Sequence, residues 1–298
     1  MRAPVAVLVL QLVLGVGFVL FVLLGGLPGG GGGDANGTTG MTAARIDRFD
    51  GRAAWRFLRW QVALGERPAG SEASRRLAAR LRRDVPGGRY QPVPGGLQNV
   101  VGTVRGRDRG RFVVVGAHYD TKDLPGFVGA NDGASGTAVV RQLARTLKPR
   151  TIGPTVKFVF FDGEEAPRGV PDSRFAEEGL RGSKVAASAY RRAEAMILLD
   201  FVGDRDLSIP REASSDARLW ARLRSAAKRV GALRHFPAGT APRVLDDHTP
   251  FLQRGVPAID LIDFDFPCWH RSCDDLSAVS QRSLDAVGET VLELLRRL

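Results

Sequence analysis

The sequence lacks the pattern of a nucleic-acid-binding protein, although its formal net charge is +11. Aromatic residues make up only 7% of the chain, and they do not alternate with basic residues over an extended stretch. The positive charge is dispersed and is carried almost wholly by Arg, since there are only five Lys. Single-strand binding platforms combine basic grooves with stacked aromatic side chains. We therefore expect no nucleic-acid partner, and a weak attraction to an anionic membrane surface fits the charge better.

Cysteine is also scarce, with Cys268 and Cys273 as the only two in the chain. They lie close together and bracket His270. An oxidising compartment would permit a disulfide between them. Two reduced, half-buried thiols are the alternative, because a sequence does not fix the Cα separation that a disulfide needs.

Long apolar runs are absent except for one, between Val5 and Leu24, which is interrupted only by Gln11. Its length matches the hydrocarbon core of a bilayer, and Arg2 supplies a positive inner flank. The run is longer than the apolar core of most signal peptides, and no clear small-x-small cleavage site follows it. No cysteine lies directly after the apolar run either, which disfavours a lipoprotein. We expect a single-pass cell-membrane anchor with the folded body outside the cytoplasm, or a secreted protein if the segment is cleaved.

Composition divides the chain into three parts. Residues 1–24 form the anchor or signal segment, and residues 25–41 are so rich in glycine that they indicate a flexible linker. Residues 42–298 contain enough aliphatic side chains for a sizeable core, and we expect them to form a single domain. We find no internal repeat.

Apolar strand-like runs alternate with helical patterns along the third part. This alternation predicts an α/β fold of three α/β/α layers around a mixed, mostly parallel sheet. The predicted strands are 98–104, 111–117, 155–161, 195–201 and 256–262. The predicted helices are 46–64, 71–81 (with Ser71 as N-cap), 134–147, 183–193, 215–230, 246–254 and 277–298.

The most informative stretch is Phe158 to Ala166, where a buried strand ends in Asp-Gly-Glu-Glu. Reactive groups collect at the carboxyl ends of strands in α/β proteins. The adjacent Glu164 and Glu165 can point in different directions, so one can hold a metal while the other handles protons. The alternative is a pair of solvated acids at a helix N-terminus, where negative charge is favoured.

Other polar residues also follow predicted strands and should meet at the same edge of a parallel sheet. Two histidines with three carboxylates at one edge form a zinc-type ligand set. These residues are spread along the chain and form no compact motif such as His-Glu-x-x-His. The prediction of a zinc site therefore rests on the combination of residues and not on any one spacing. The residues concerned are His118, Asp132, Glu164, Glu165, Asp200, Asp246 and His270.

Several segments resemble the zinc-dependent aminopeptidases and their relatives, the glutaminyl-peptide cyclotransferases. The resemblance covers about residues 45–298 and implies the zinc exopeptidase fold. The segments that carry it are GAHYD at 116–120, GANDGASG at 129–136, FDGEE at 161–165, LD at 199–200, DDHTPF at 246–251 and WH at 269–270.

The resemblance implies a role for each matching residue. Glu164 is implied as the general acid and base, with Asp200 and Asp246 supporting the proton transfer. The implied zinc ligands, for one or two ions, are His118, Asp132, Glu165, Asp200 and His270. The implied substrate-binding residues are Trp269, Phe266, Asp247 and His248.

The resemblance implies an enzyme that acts on peptide or protein N-termini, and several local features favour the cyclotransferases. Such an enzyme converts N-terminal glutamine to pyroglutamate and releases ammonia. A zinc aminopeptidase is the first alternative, and a non-catalytic binding domain on the same fold is the second. The chain departs from the cyclotransferases at 167–170 (PRGV), where they carry a tryptophan that lines the glutamine pocket. We expect a monomer.

Overall fold

The computed structural model describes residues 48–298 of the chain. The predicted membrane segment at 5–24 and the predicted linker at 25–41 lie outside these residues. Within residues 48–298, no helix is both long enough and apolar enough to cross a membrane.

The described strands are β1 Arg89–Val93, β2 Leu97–Val104, β3 Asp108–His118, β4 Pro154–Phe161, β5 Met196–Asp200, β6 Arg211–Glu212, β7 Thr240–Ala241 and β8 Ala258–Ile262. Six of them form the central sheet of the fold, in the order β1-β2-β4-β3-β5-β8. The first two strands run antiparallel to their neighbours, whereas β4, β3, β5 and β8 are parallel to one another. The predicted mixed, mostly parallel sheet is therefore confirmed. A separate pair of short parallel strands, β6 and β7, completes the described strands.

Helices occupy most of the connections between these strands. Ser71 caps the second helix as predicted, because its hydroxyl accepts a hydrogen bond from the amide of Ser74. The bounds are α1 Gly51–Val62, α2 Glu72–Asp84, α3 Ala134–Thr146, α4 Phe175–Glu178, α5 Arg181–Ala189, α6 Ala217–Val230, α7 Thr249–Leu252 and α8 Gln281–Leu295, with 3₁₀ turns at Asp172–Arg174 and Leu233–His235.

The sheet is buried on both faces, which explains why its central strands read as continuous apolar runs. Along β4, Phe158 and Phe160 join the core beneath α1, α2, α3, α6 and α8. The alternating residues Val159 and Phe161 join a second core beneath α5 and α7. This alternation places helices on both sides of the sheet and gives the three layers.

Two differences from the predicted elements have clear physical causes. Strand β1 was not predicted, because it is an edge strand with mostly exposed or half-exposed side chains and a proline at Pro92, which edges tolerate. The helix predicted at 246–254 contains only Thr249–Leu252, since Pro250 favours the first turn of a helix. The preceding residues 246–248 turn inward, and all three are buried.

The close approach of α3 to β5 yields a stability prediction. A Cβ added at Gly136 would lie 2.0 Å from the carbonyl oxygen of Leu199. Alanine normally stabilises a helix relative to glycine. At position 136 the clash should instead make the alanine variant less stable than the wild type. We expect Gly136→Ala to lower the free energy of unfolding by about 1–3 kcal/mol, measured by chemical denaturation. The control Gly239→Ala meets no atom within 4 Å and should change it by less than about 0.5 kcal/mol; equal effects would contradict this packing.

Candidate metal centre

Three neighbouring parallel strands deliver polar residues to one edge of the sheet. His118 is the last residue of β3 and Asp200 is the last residue of β5. Glu164 and Glu165 follow β4 after the turn at Gly163, which has a φ of +69°. Because β4, β3 and β5 are adjacent, their carboxyl ends bring these side chains together.

The predicted metal ligands form two groups that share Asp132. In the first group, the Nε2 atom of His118 lies 3.2 Å from Asp132 Oδ1 and 3.2 Å from Asp200 Oδ1. In the second group, His270 Nε2 lies 3.5 Å from Asp132 Oδ2 and 3.2 Å from Glu165 Oε1. In each group the potential ligand atoms all lie within 4.8 Å of one another. Asp132 therefore presents one oxygen to each group.

Asp274, which the sequence analysis missed, holds Asp132 in place. Its carboxylate accepts hydrogen bonds from the amides of Asn131 at 2.7 Å and Asp132 at 3.0 Å. Its backbone carbonyl accepts a third hydrogen bond, from the amide of Ala130. The sequence offered little signal for this contact, because the two segments lie more than 140 positions apart.

Asp120 is a second supporting residue that was not predicted. Its carboxylate accepts hydrogen bonds from the amides of Glu164 and Glu165, each at 3.2 Å, and also lies 3.7 Å from His118 Nδ1. It therefore links the end of β3 to the Glu-Glu turn after β4. The His-x-Asp spacing of His118 and Asp120 was the available sequence signal.

The two adjacent glutamates occupy different electrostatic surroundings. Burial, followed by the charge of Glu165, raises the pKa of the Glu164 carboxyl well above its usual range. Burial also acts to raise the pKa of Glu165, but the hydrogen bond and charge of His270, together with Lys122, outweigh it and lower the pKa. The Lys122 ammonium lies 3.2 Å from Glu165 Oε2. The pair thus separates into a carboxyl that favours the proton and one that favours its charge.

The donor set fits a bound cation. Asp132, Glu164, Glu165 and Asp200 are all buried within a few ångströms of the two histidines. Burial raises the pKa of Asp200 to about 7, because few positive charges compensate for this concentration of acids. Carboxylate oxygens and imidazole nitrogens are the ligands of catalytic zinc sites. A divalent cation between them would neutralise charge that the protein itself leaves uncompensated.

A third group of potential ligands is formed by Asp246, His248 and Asp260, and it shares no residue with the other two groups. His248 is fully buried, with Nε2 3.0 Å from Ser214 Oγ and 3.4 Å from Glu212 Oε2, and Nδ1 3.5 Å from Asp260 Oδ2. His248 does not line the cavity beside the centre, and neither does the fully buried Asp247. The structure therefore places these two predicted substrate-binding residues outside the lining of the cavity, and their role stays a prediction.

A cavity of about 520 Å³ opens beside the two ligand groups. Trp269, predicted to bind substrate, lines it and is 44% exposed. Phe266 is instead buried, with its ring 5.9 Å from that of Phe201, outside the lining. Phe175 contributes a wall from the segment after Glu165, where no tryptophan occurs. Asp246 lies at the inner end of the cavity, and its charge acts to raise the pKa of Asp200.

The two cysteines are joined in a disulfide, which decides between the two alternatives left open by the sequence. Cys268 and Cys273 have a Cα separation of 5.4 Å, within the range that disulfides require. The bond closes a short ring that contains Trp269 and His270.

The ligand groups predict a metal-dependent gain in stability. Zinc at a hundredfold excess over its dissociation constant should raise the free energy of unfolding by about 2.7 kcal/mol. Asp132→Asn should remove most of this gain, because Asp132 serves both groups. The matched control Asp260→Asn, in the third group, should keep it. Thermal unfolding with and without zinc measures the stabilisation of each variant. If only Asp260→Asn lost the stabilisation by zinc, the metal would have to bind at the third group instead.

Comparisons with known proteins agree with this geometry. The sequence profile described as Peptidase family M28 matches residues 99–295, which is more than half of the chain. A glutaminyl-peptide cyclotransferase of Drosophila melanogaster is 29% identical over 228 residues, which cover 66% of this chain and 64% of that protein. The chain thus spans less than two thirds of the length of the curated relatives it matches.

Solved structures show the same fold. The glutaminyl cyclase of Tannerella forsythia has a TM-score of 0.74 and 28% identity, covering 84% of this chain and 99% of that one. A Zn-dependent exopeptidase from Parabacteroides distasonis has a TM-score of 0.72 and 26% identity, covering 84% and 99%. The extent of the profile match and the shared fold lead to one conclusion: this chain belongs to Peptidase family M28.

Proposed function

We propose that the protein is a zinc-dependent enzyme that acts on peptide N-termini, as a glutaminyl-peptide cyclotransferase. The observation that carries this proposal is the buried Glu164 carboxyl beside the group formed by Asp132, Glu165 and His270, at the inner end of an open cavity. These three residues would hold the zinc ion. When bound, zinc supplies a Lewis acid that polarises the γ-carboxamide of an N-terminal glutamine.

Glu164 carries the proton in this reaction. Its carboxylate accepts a proton from the substrate's α-amine, whose nitrogen forms a bond to the δ-carbon, the carbonyl carbon of the γ-carboxamide. The bond between that carbon and the amide nitrogen breaks, and Glu164 returns the proton to the departing ammonia. A carboxyl with a raised pKa suits the first step, because it is a stronger base than an ordinary glutamate.

Asp200 and Asp246 support the transfer from the wall of the same cavity. Both carboxyls are buried and line the cavity. Burial raises the pKa of each, and the charge of Asp246 raises that of Asp200 further. Two interacting carboxyls in this state release their protons in linked steps, and either can accept a hydrogen bond from the substrate's amine or amide.

The cavity suits an apolar peptide segment behind the N-terminal residue. Its mouth carries Leu245, Phe264 and Trp269, which are the exposed large apolar side chains of residues 48–298. The rings of Phe264 and Trp269 lie 5.2 Å apart and form one surface. The proposed active form is a monomer.

A zinc aminopeptidase is the second candidate, and one observation favours it. Asp132 presents separate oxygens to His118 and His270, which is the arrangement that two metal ions would share. His118, Asp132 and Asp200 would then hold the second ion, and Glu164 would activate water. The names of the relatives favour the cyclotransferase, and the peptidase family accommodates both activities.

The proposed location of the enzyme is the outer surface of the cell membrane. The apolar run at 5–24 would provide the anchor and residues 25–41 the tether. The Cys268–Cys273 disulfide supports an oxidising compartment. Membrane fractionation should find the full chain in the membrane and a chain that begins at residue 41 in the soluble fraction; equal partition of the two would contradict an anchor.

Glu164→Gln tests the proposed role of the proton carrier. The substitution keeps the shape of the side chain but removes its basicity, so ammonia release from a glutaminyl peptide should fall by about 10²–10⁴-fold. Zinc content, measured by atomic absorption, should stay close to that of the wild type.

The neighbouring Glu165→Gln variant provides the matched control. It should lose zinc as well as activity, because Glu165 belongs to the ligand group. Retained turnover in Glu164→Gln would contradict the assignment, as would loss of zinc from that variant alone.

A further inference from the structure

The disulfide closes a six-residue ring that carries a proposed metal ligand. His270 lies within the ring between Cys268 and Cys273, and its φ of +52° places it in the left-handed region. This backbone conformation is unfavourable for residues other than glycine. Something in the surrounding structure must therefore keep the backbone of His270 in this state.

His270 is the least enclosed residue of its ligand group. Its side chain is 21% exposed, whereas those of Asp132 and Glu165 are almost fully buried. The backbone hydrogen bonds of the ring are short-range, such as those from the Trp269 amide to Phe266 and from the Arg271 amide to Cys268. Neither bond connects the ring to the sheet, so they do not fix the position of the imidazole relative to the other ligands.

The imidazole of His270 is held noncovalently, by a 3.2 Å contact with Glu165 Oε1 and by an edge contact with the Phe127 ring, whose centroid lies 6.0 Å away. The disulfide adds a covalent connection. Cys273 is followed directly by Asp274, which makes three hydrogen bonds to residues 130–132. The segment that holds Asp132 is thus joined through Asp274 and Cys273 to Cys268 on the other side of His270. The covalent bond limits how far His270 can move from Asp132.

We propose that the Cys268–Cys273 disulfide positions His270 for zinc, so that opening the bond weakens zinc binding at the Asp132, Glu165 and His270 group. This inference rests on the zinc centre of the proposed function. Reduction breaks the bond between the sulfur atoms, and each sulfur takes up one electron and one proton. The ring is then free to relax out of the left-handed conformation at His270.

A purely global role fits the ring less well. A disulfide stabilises a protein chiefly by limiting the unfolded chain, and this effect is smallest for short loops. Cys268 and Cys273 are only five positions apart. We therefore expect the local effect on the metal site to exceed the effect on unfolding.

Zinc affinity of the full-length protein, measured by competition with a fluorescent chelator, tests the proposal. Residues that orient a metal ligand typically change metal affinity by 10–100-fold. The double variant Cys268→Ala/Cys273→Ala should bind zinc about 10–100-fold more weakly than the oxidised wild type. The melting temperature of the zinc-free protein should change little.

Two controls separate the ring from other causes. Ser272→Ala changes an exposed ring residue but keeps the disulfide, so its zinc affinity should equal that of the wild type. Treatment with a phosphine, which is oxidised to its phosphine oxide as the disulfide is reduced, should weaken zinc binding in the wild type after alkylation of the two thiols. It should have no effect on the double alanine variant, since the chain contains no other cysteine.

The outcomes are distinguishable. Zinc affinity in the double variant within about twofold of the wild type would overturn the positioning role. If that variant does not fold, the zinc affinity of the reduced and alkylated wild type is compared with that of the oxidised wild type by the same criterion. An oxidised wild type that binds no zinc would overturn the zinc centre itself, and with it this inference.

Discussion

The crowding of buried carboxylates at the carboxyl edge of the sheet is the constraint on which the site depends. Asp132, Glu164, Glu165 and Asp200 lie together with two histidines and one lysine, too little positive charge to balance them. Like charges at this range cannot all ionise without a cation. A bound metal would keep its carboxylate ligands charged. Glu164 belongs to neither ligand group, so it would remain the acid that exchanges protons. The disulfide, Asp120 and Asp274 all act to hold this unfavourable arrangement in one geometry.

Much of the fold could be predicted because its strands are buried on both faces. The continuous apolar runs of β3, β4 and β5 are a direct consequence of helices on each side of the sheet. The parallel order of these strands then places residues that follow them at one edge, so His118 and the Glu164–Glu165 pair could be brought together from the sequence. The edge strand β1 escaped prediction because half-exposed side chains and Pro92 leave no such run.

Other features depend on contacts between segments that are far apart in the sequence, and local sequence patterns carry no information on such contacts. Asp274 reaches Asp132 across more than 140 positions, and Phe175 lines the cavity from the four-residue helix α4. His248 shows the opposite case. The resemblance implied that this histidine of the Asp-Asp-His segment contacts substrate, but Glu212, Ser214 and Asp260 surround it in the interior. Local sequence identifies reactive residue types, whereas the direction in which a loop turns decides whether they face the cavity.

The product formed from two matched peptides tests the central claim most directly. The purified, zinc-loaded full chain is incubated with peptides that differ only in an N-terminal glutamine or leucine, and the products are identified by mass spectrometry. The proposed mechanism predicts that the glutaminyl peptide loses one ammonia and keeps all its residues, while the leucyl peptide is unchanged. Release of free leucine or glutamine would contradict cyclisation and assign the site to hydrolysis.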